Sequence, residues 1–75
     1  MKYYFAINMT SAEFFPYYEG KAQQLVVSTT EGLRVQFPAM HMRKYLLSSG
    51  IKGLFCMQTK NNKFLSLTKI SQLEY

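Results

Sequence analysis

The stretch Gly32-Leu33-Arg34-Val35-Gln36-Phe37-Pro38-Ala39-Met40-His41-Met42-Arg43-Lys44-Tyr45-Leu46 decides how this chain folds. Leu33, Val35 and Phe37 alternate with Arg34 and Gln36, so one face of a strand can be buried while the other stays polar. Pro38 cannot donate to a sheet ladder, but its fixed φ suits the first position of a helical turn. The stretch therefore reads as a strand running into a short helix, with Arg34, Arg43 and Lys44 around the junction.

Upstream, Gln23 to Thr30 has a strand composition centred on Leu25-Val26-Val27, and Glu31-Gly32 separates it from the strand at Leu33. Two residues ending in Gly between β-rich runs signal a tight hairpin, so residues 23–38 are expected to pair antiparallel. Near the N-terminus, Tyr3, Phe5, Ile7 and Met9 alternate with Lys2, Tyr4, Ala6 and Asn8 as a half-buried strand. Thr10-Ser11-Ala12-Glu13 then has capping-box spacing, and Met9 and Phe14 are placed for a hydrophobic staple. A helix starts there and stops at Gly20. Pro16 falls inside it and predicts either a kink or two separate turns.

Downstream of Pro38, residues 39–48 are expected to be helical, with Ala39, Met42 and Leu46 facing the core and His41, Arg43 and Lys44 facing water. Ile51 to Thr59 and Phe64 to Ile70 form a second hairpin about Asn61-Asn62, since Asn tolerates left-handed backbone. Gly53 marks a bulge or a bend, and the tail Ser71–Tyr75 is expected to fray. The predicted order is β-α-β-β-α-β-β. It suits an α+β fold built on a curved antiparallel five-stranded sheet, or small partial barrel, with two short helices. The alternative is a ferredoxin-like βαββαβ sheet with an extra strand, disfavoured because neither helix is long enough to cross a sheet.

Seventy-five residues make a single domain, residues 1–75. Cys56 is the only cysteine, which suits a reducing compartment and forbids an internal disulfide. The N-terminal apolar run ends at Asn8, too short for a signal peptide or a membrane span, so a cytoplasmic protein is expected. Residues 1–33 have net charge −1 and residues 34–75 net charge +6. Such asymmetry suits a polyanionic partner, although a basic half can also be a solvated face.

Catalytic chemistry finds little support. Cys56 and His41 are the one nucleophile–base pair of that type, and the chain has no Asp to orient the His. Cys56 lies mid-strand between Phe55 and Met57, where a small buried thiol is the simpler explanation. Among the carboxylates, Glu13 is taken by the cap and Glu31 by a turn. Neither a metal cluster nor a cofactor motif is present, and Ser49-Gly50-Ile51-Lys52-Gly53 only superficially resembles a phosphate loop. Lys52-Gly53-Leu54-Phe55-Cys56-Met57 begins like the RNA-recognition strand motif but lacks aromatics at its third and fifth places. No paired-arginine motif of the cyclic-dinucleotide PilZ type is present either.

The set Tyr17-Tyr18-x-Gly20, Gly32-x-Arg34-x-Gln36-Phe37-Pro38-Ala39, Arg43, Gly50, Gly53 and Lys63-Phe64-x-Ser66-Leu67 resembles a family of short gammaproteobacterial proteins known only as a domain of unknown function. The similarity covers nearly the whole chain, with Gln36-Phe37-Pro38-Ala39 its most specific block. Pro16 and Lys44 depart from that pattern, which has no proline before the Tyr-Tyr pair and a proline where Lys44 stands. The resemblance implies a stand-alone cytoplasmic bacterial protein and brings no activity, ligand or catalytic residue.

The leading expectation is a non-enzymatic binding module whose polar face, Arg34, Gln36, Arg43, Lys44 and Lys52, contacts RNA or single-stranded DNA. The second is a protein-interaction module or homodimer using an aromatic and Met surface that includes Tyr17, Tyr18 and Tyr45. Neither involves a membrane or a metal.

Overall fold

The computed structural model describes residues 1–71. Five strands and two short helices follow one another as β1 (Lys2–Met9), α1 (Ser11–Tyr18), β2 (Gln24–Ser28), β3 (Arg34–Pro38), a 3₁₀ helix (Ala39–Tyr45), β4 (Ile51–Lys60) and β5 (Lys63–Ser71). The α+β class and the order of the elements match the sequence reading. Of the tail expected to fray, Ser71 closes β5, and residues 72–75 lie outside the described residues.

The five strands do not form one sheet. They divide into a three-stranded antiparallel sheet, β1-β4-β5, and a separate β2-β3 hairpin. This corrects both the five-stranded sheet or partial barrel and the ferredoxin-like alternative. Between the hairpin loop and β1 one backbone hydrogen bond passes, from Thr30 N to Tyr4 O at 2.8 Å. A ferredoxin-like layout also fails on length: the eight residues of α1 span roughly 12 Å, too little to cross a sheet.

Helix α1 starts as its sequence dictates. Thr10 Oγ1 accepts from Glu13 N, and the Glu13 carboxylate accepts from Thr10 N. It continues through Pro16 as one helix, not two separate turns. Its end is a full Schellman motif, with Gly20 at φ +84°, Gly20 N donating to Tyr17 O and Lys21 N donating to Pro16 O.

The first hairpin turns through three residues instead of two. Thr29 N donates to Leu33 O, Gly32 N donates to Thr29 O, and Gly32 sits at φ +83°. The hydroxyl of the buried Thr29 accepts from the amides of Glu31 and Leu33, while Leu33 O stays paired with Thr29 N. Leu33, expected on the buried face, lies at the turn just before β3 and is 50% exposed.

The second helix is of 3₁₀ type and ends at Tyr45, short of Ser48. Ala39 and Met42 are buried and Tyr45 packs on the core. Their spacing of three is the 3₁₀ repeat, in which residues i and i+3 eclipse. Tyr45 thus takes the inward place expected of Leu46, which still packs against the core just past the helix end. Gly50 follows in a tight Leu47–Gly50 turn at φ +110°. A Cβ there would collide with Met9 O, so the turn rests on bare backbone.

The inner faces of the two sheets share one core. Phe5 lies 5.6 Å from Phe37 and 6.0 Å from Phe55 between ring centres, and Phe14, Met42 and Ile51 close the cluster. Each such side chain contributes roughly 1.5–3 kcal/mol on burial. Asn61 and Asn62, both at positive φ, make the β4–β5 turn. The β4–β5 register slips twice, leaving Leu65 and Ile70 as extra, exposed residues on β5. The bulge expected at Gly53 thus falls on the partner strand. Gly53 itself leaves room for the Lys69 side chain, whose Cε would lie 2.7 Å from an added Cβ.

Candidate functional site

The sequence-based cation set is dispersed by the fold. Arg34 and Gln36 are exposed on the outer face of the hairpin, opposite Ser28 and Val26. Lys52 is half-buried on β4 opposite Asn8, alternating with the core residue Ile51. It therefore points away from the core on the other sheet. Arg43 and Lys44 occupy the last turn of the 3₁₀ helix. Five residues expected on one face occupy three surfaces.

The aromatic set also divides. Tyr17 is half-buried with its ring 5.7 Å from Phe14, and Tyr18 is 53% exposed. Tyr45 packs its edge on Phe55, and its hydroxyl donates to Leu67 O at 2.9 Å. The Lys44 ammonium lies 5.2 Å from the centre of the Tyr45 ring.

One cation and one tyrosine from the two sets meet. Arg43 donates to the Tyr18 carbonyl at 3.0 Å, and its guanidinium lies 5.4 Å from the centre of the Tyr18 ring. The carbonyl belongs to the last turn of α1, where a positive group opposes the negative end of the helix.

Arg43 and Met40 form the divide between two open grooves. The first, about 440 Å³, lies between α1 and the hairpin, with Tyr17, Gln23, Gln24 and Pro38 among its walls. The second, about 480 Å³, lies between the 3₁₀ helix and β5, and adds His41, Lys44 and Phe64. In it His41 and Phe64 stack almost parallel, 3.8 Å between ring centres and 8° apart in plane.

Among the described residues, neither groove is lined by a carboxylate. Glu19 is paired with Lys21 at 3.6 Å, and Glu13 is held in the helix cap. The hydrogen bond from the Thr10 backbone amide, then that from its hydroxyl, holds the Glu13 carboxyl below the usual carboxylate range.

His41, Phe64, Met40 and the two glutamines escaped the sequence-based set. The stack of His41 on Phe64 joins residues far apart in the chain and leaves no local trace. The thiol and the imidazole are separated: Cys56 is buried on the face of β4 opposite to Phe55 and Met57, as the reading of a small buried thiol expects, whereas His41 stacks on Phe64, which packs on the core side.

Residues 1–70 match the family model described as Protein of unknown function (DUF2835). The chain belongs to this family. No curated protein and no solved structure matches it. In this DUF2835 chain, Gln36-Phe37-Pro38-Ala39 ends the hairpin and starts the 3₁₀ helix, with Phe37 and Ala39 buried and Pro38 lining the first groove. Among the described residues, no helix is long and apolar enough to cross a membrane.

Proposed function

We propose that this chain is a non-enzymatic binding module for single-stranded RNA or DNA, working through the two grooves beside the 3₁₀ helix. One observation carries this reading. Arg43, Lys44 and His41 line a groove that has no carboxylate among the described residues, next to a ring, Phe64, that is already stacked. Backbone phosphates need cations, and unpaired bases need flat faces, which is the usual pairing in single-strand recognition. A regular duplex would offer its phosphates but no free base face. Arg34 and Gln36 on the hairpin give a further polar surface for a longer strand, and Lys52 takes no part.

Titrating the full chain with a mixed-sequence single-stranded oligonucleotide at two salt concentrations tests this reading. Resonances of Arg43, Lys44 and His41 should shift, and affinity should weaken with salt by a slope of about 0.7 per phosphate contacted. A spectrum unmoved by RNA and DNA would overturn it.

A second reading has its own observation. Met40 and Leu65 are 65% and 60% exposed on the walls of the second groove. Large apolar side chains in such positions suit a protein partner or a second copy of the chain. Sedimentation at high micromolar concentration separates these cases: a dimer lost on Met40→Ser favours association through this face.

A further inference from the structure

The two grooves differ in chemistry although they share Arg43 and Met40. The second concentrates charge, with Arg43 and Lys44 beside the His41 ring. Among the described residues, Arg43 is the one charged residue of the first. Its other polar side chains are the neutral Gln23, Gln24 and Tyr17, set around the apolar Met40 and Pro38. A phosphodiester has little to gain there beyond Arg43. A planar ring with donors and acceptors on its edge has much more, because each glutamine amide offers both an acceptor oxygen and two donor hydrogens. The volume, about 440 Å³, is within the usual range for a small-molecule site.

We infer, resting on the nucleic-acid reading above, that the first groove receives one unstacked nucleobase and that Gln23 and Gln24 hydrogen-bond its edge. Arg43 lines both grooves, and its fork is held against Tyr18 by one hydrogen bond and by the ring face. A guanidinium has five donors, so it can keep the Tyr18 carbonyl and still bind an anion. It is placed to hold the phosphate that joins this base to the next nucleotide, whose own base can extend the His41–Phe64 stack. Single-stranded ligands present their bases in this splayed way, and duplexes do not.

The test is a titration of the full chain with two single-stranded DNA heptamers of equal charge, one of mixed sequence and one with abasic sites throughout. The mixed heptamer should shift the side-chain amide resonances of Gln23 and Gln24 and bind about tenfold more tightly than the abasic one. The Q23A/Q24A double variant changes two exposed side chains and should keep the wild-type fold by its amide spectrum. It should remove most of that tenfold difference and leave abasic binding unchanged. Equal affinity for both heptamers, or glutamine resonances that stay still at saturation, would overturn the base pocket and leave the phosphate reading standing. Failure of both heptamers to bind would overturn both.

Discussion

The Arg43 guanidinium closes the C-terminal turn of α1 by donating to Tyr18 O at 3.0 Å, across 25 residues of chain. A side chain counted from sequence as a free surface cation is thus also a tie between the two helices. Arg43→Ala should destabilise the fold by about 1 kcal/mol, the scale of an exposed cation–ring contact with a charged hydrogen bond. Arg43→Lys should recover part of the oligonucleotide affinity and less of the stability, since an ammonium lacks the planar fork. Urea denaturation of the two variants checks this, and equal stability of wild type and Arg43→Ala would contradict it.

Phosphate contacts should be local to the 3₁₀ helix. Lys44→Ala should reduce the salt slope of single-strand binding by about 0.7, the value of one lost phosphate contact. Lys52→Ala, on the outward face of the other sheet, should leave the slope as it was. A common loss in both variants would mean that the ligand wraps a wider surface than these grooves.

Two glycines at positive φ, Gly32 at +83° and Gly50 at +110°, should respond differently to alanine. At Gly32 an added Cβ meets nothing within 4 Å, so only the left-handed backbone is penalised, by about 1–2 kcal/mol. At Gly50 the same atom meets Met9 O and lies 2.8 Å from Thr10 C, which are backbone and cannot swing away. Gly50→Ala should cost more than about 4 kcal/mol and leave little folded protein at room temperature. Thermal melts of the pair, read side by side, would refute this if the two fell equally.

The helix cap should be visible in acid. The carboxyl of Glu13 is held below its ordinary range by the Thr10 amide and hydroxyl. A depressed folded value means that its contribution is complete above the unfolded value of about 4.3 and fades as pH falls through the lowered one. Glu13→Ala should therefore be less stable than wild type at pH 7, with the gap closing in acid. A gap that holds constant down to pH 3 would exclude the carboxylate as its source. Thr10→Ala removes the other half of the box and should cost about 1 kcal/mol.

Local chemistry was legible in the chain. Thr10 and Glu13 announce a cap, Gly20 a helix stop, Asn61-Asn62 a left-handed turn, and Val35 and Phe37 the inward face of β3, because each depends on neighbours within a few residues; Leu33, read on that same face, is exposed. Where a hydroxyl intervened, local reading slipped: Thr29 captured two loop amides and lengthened the first turn. Pro16 left a kink or two separate turns open, and α1 continues through it as one helix.

By itself, the sequence determined which segments become strands and helices, where most of them start and stop, and that the second half carries the positive charge. Tertiary structure alone decided that the strands separate into two sheets, that Lys52 points away from Arg43, and that His41 meets Phe64 and Arg43 meets Tyr18. Capping, turns and alternation act over a few residues and are written in order along the chain. Sheet partition and ring stacking depend on which distant surfaces a small core can bring together, and nothing adjacent in sequence encodes that choice.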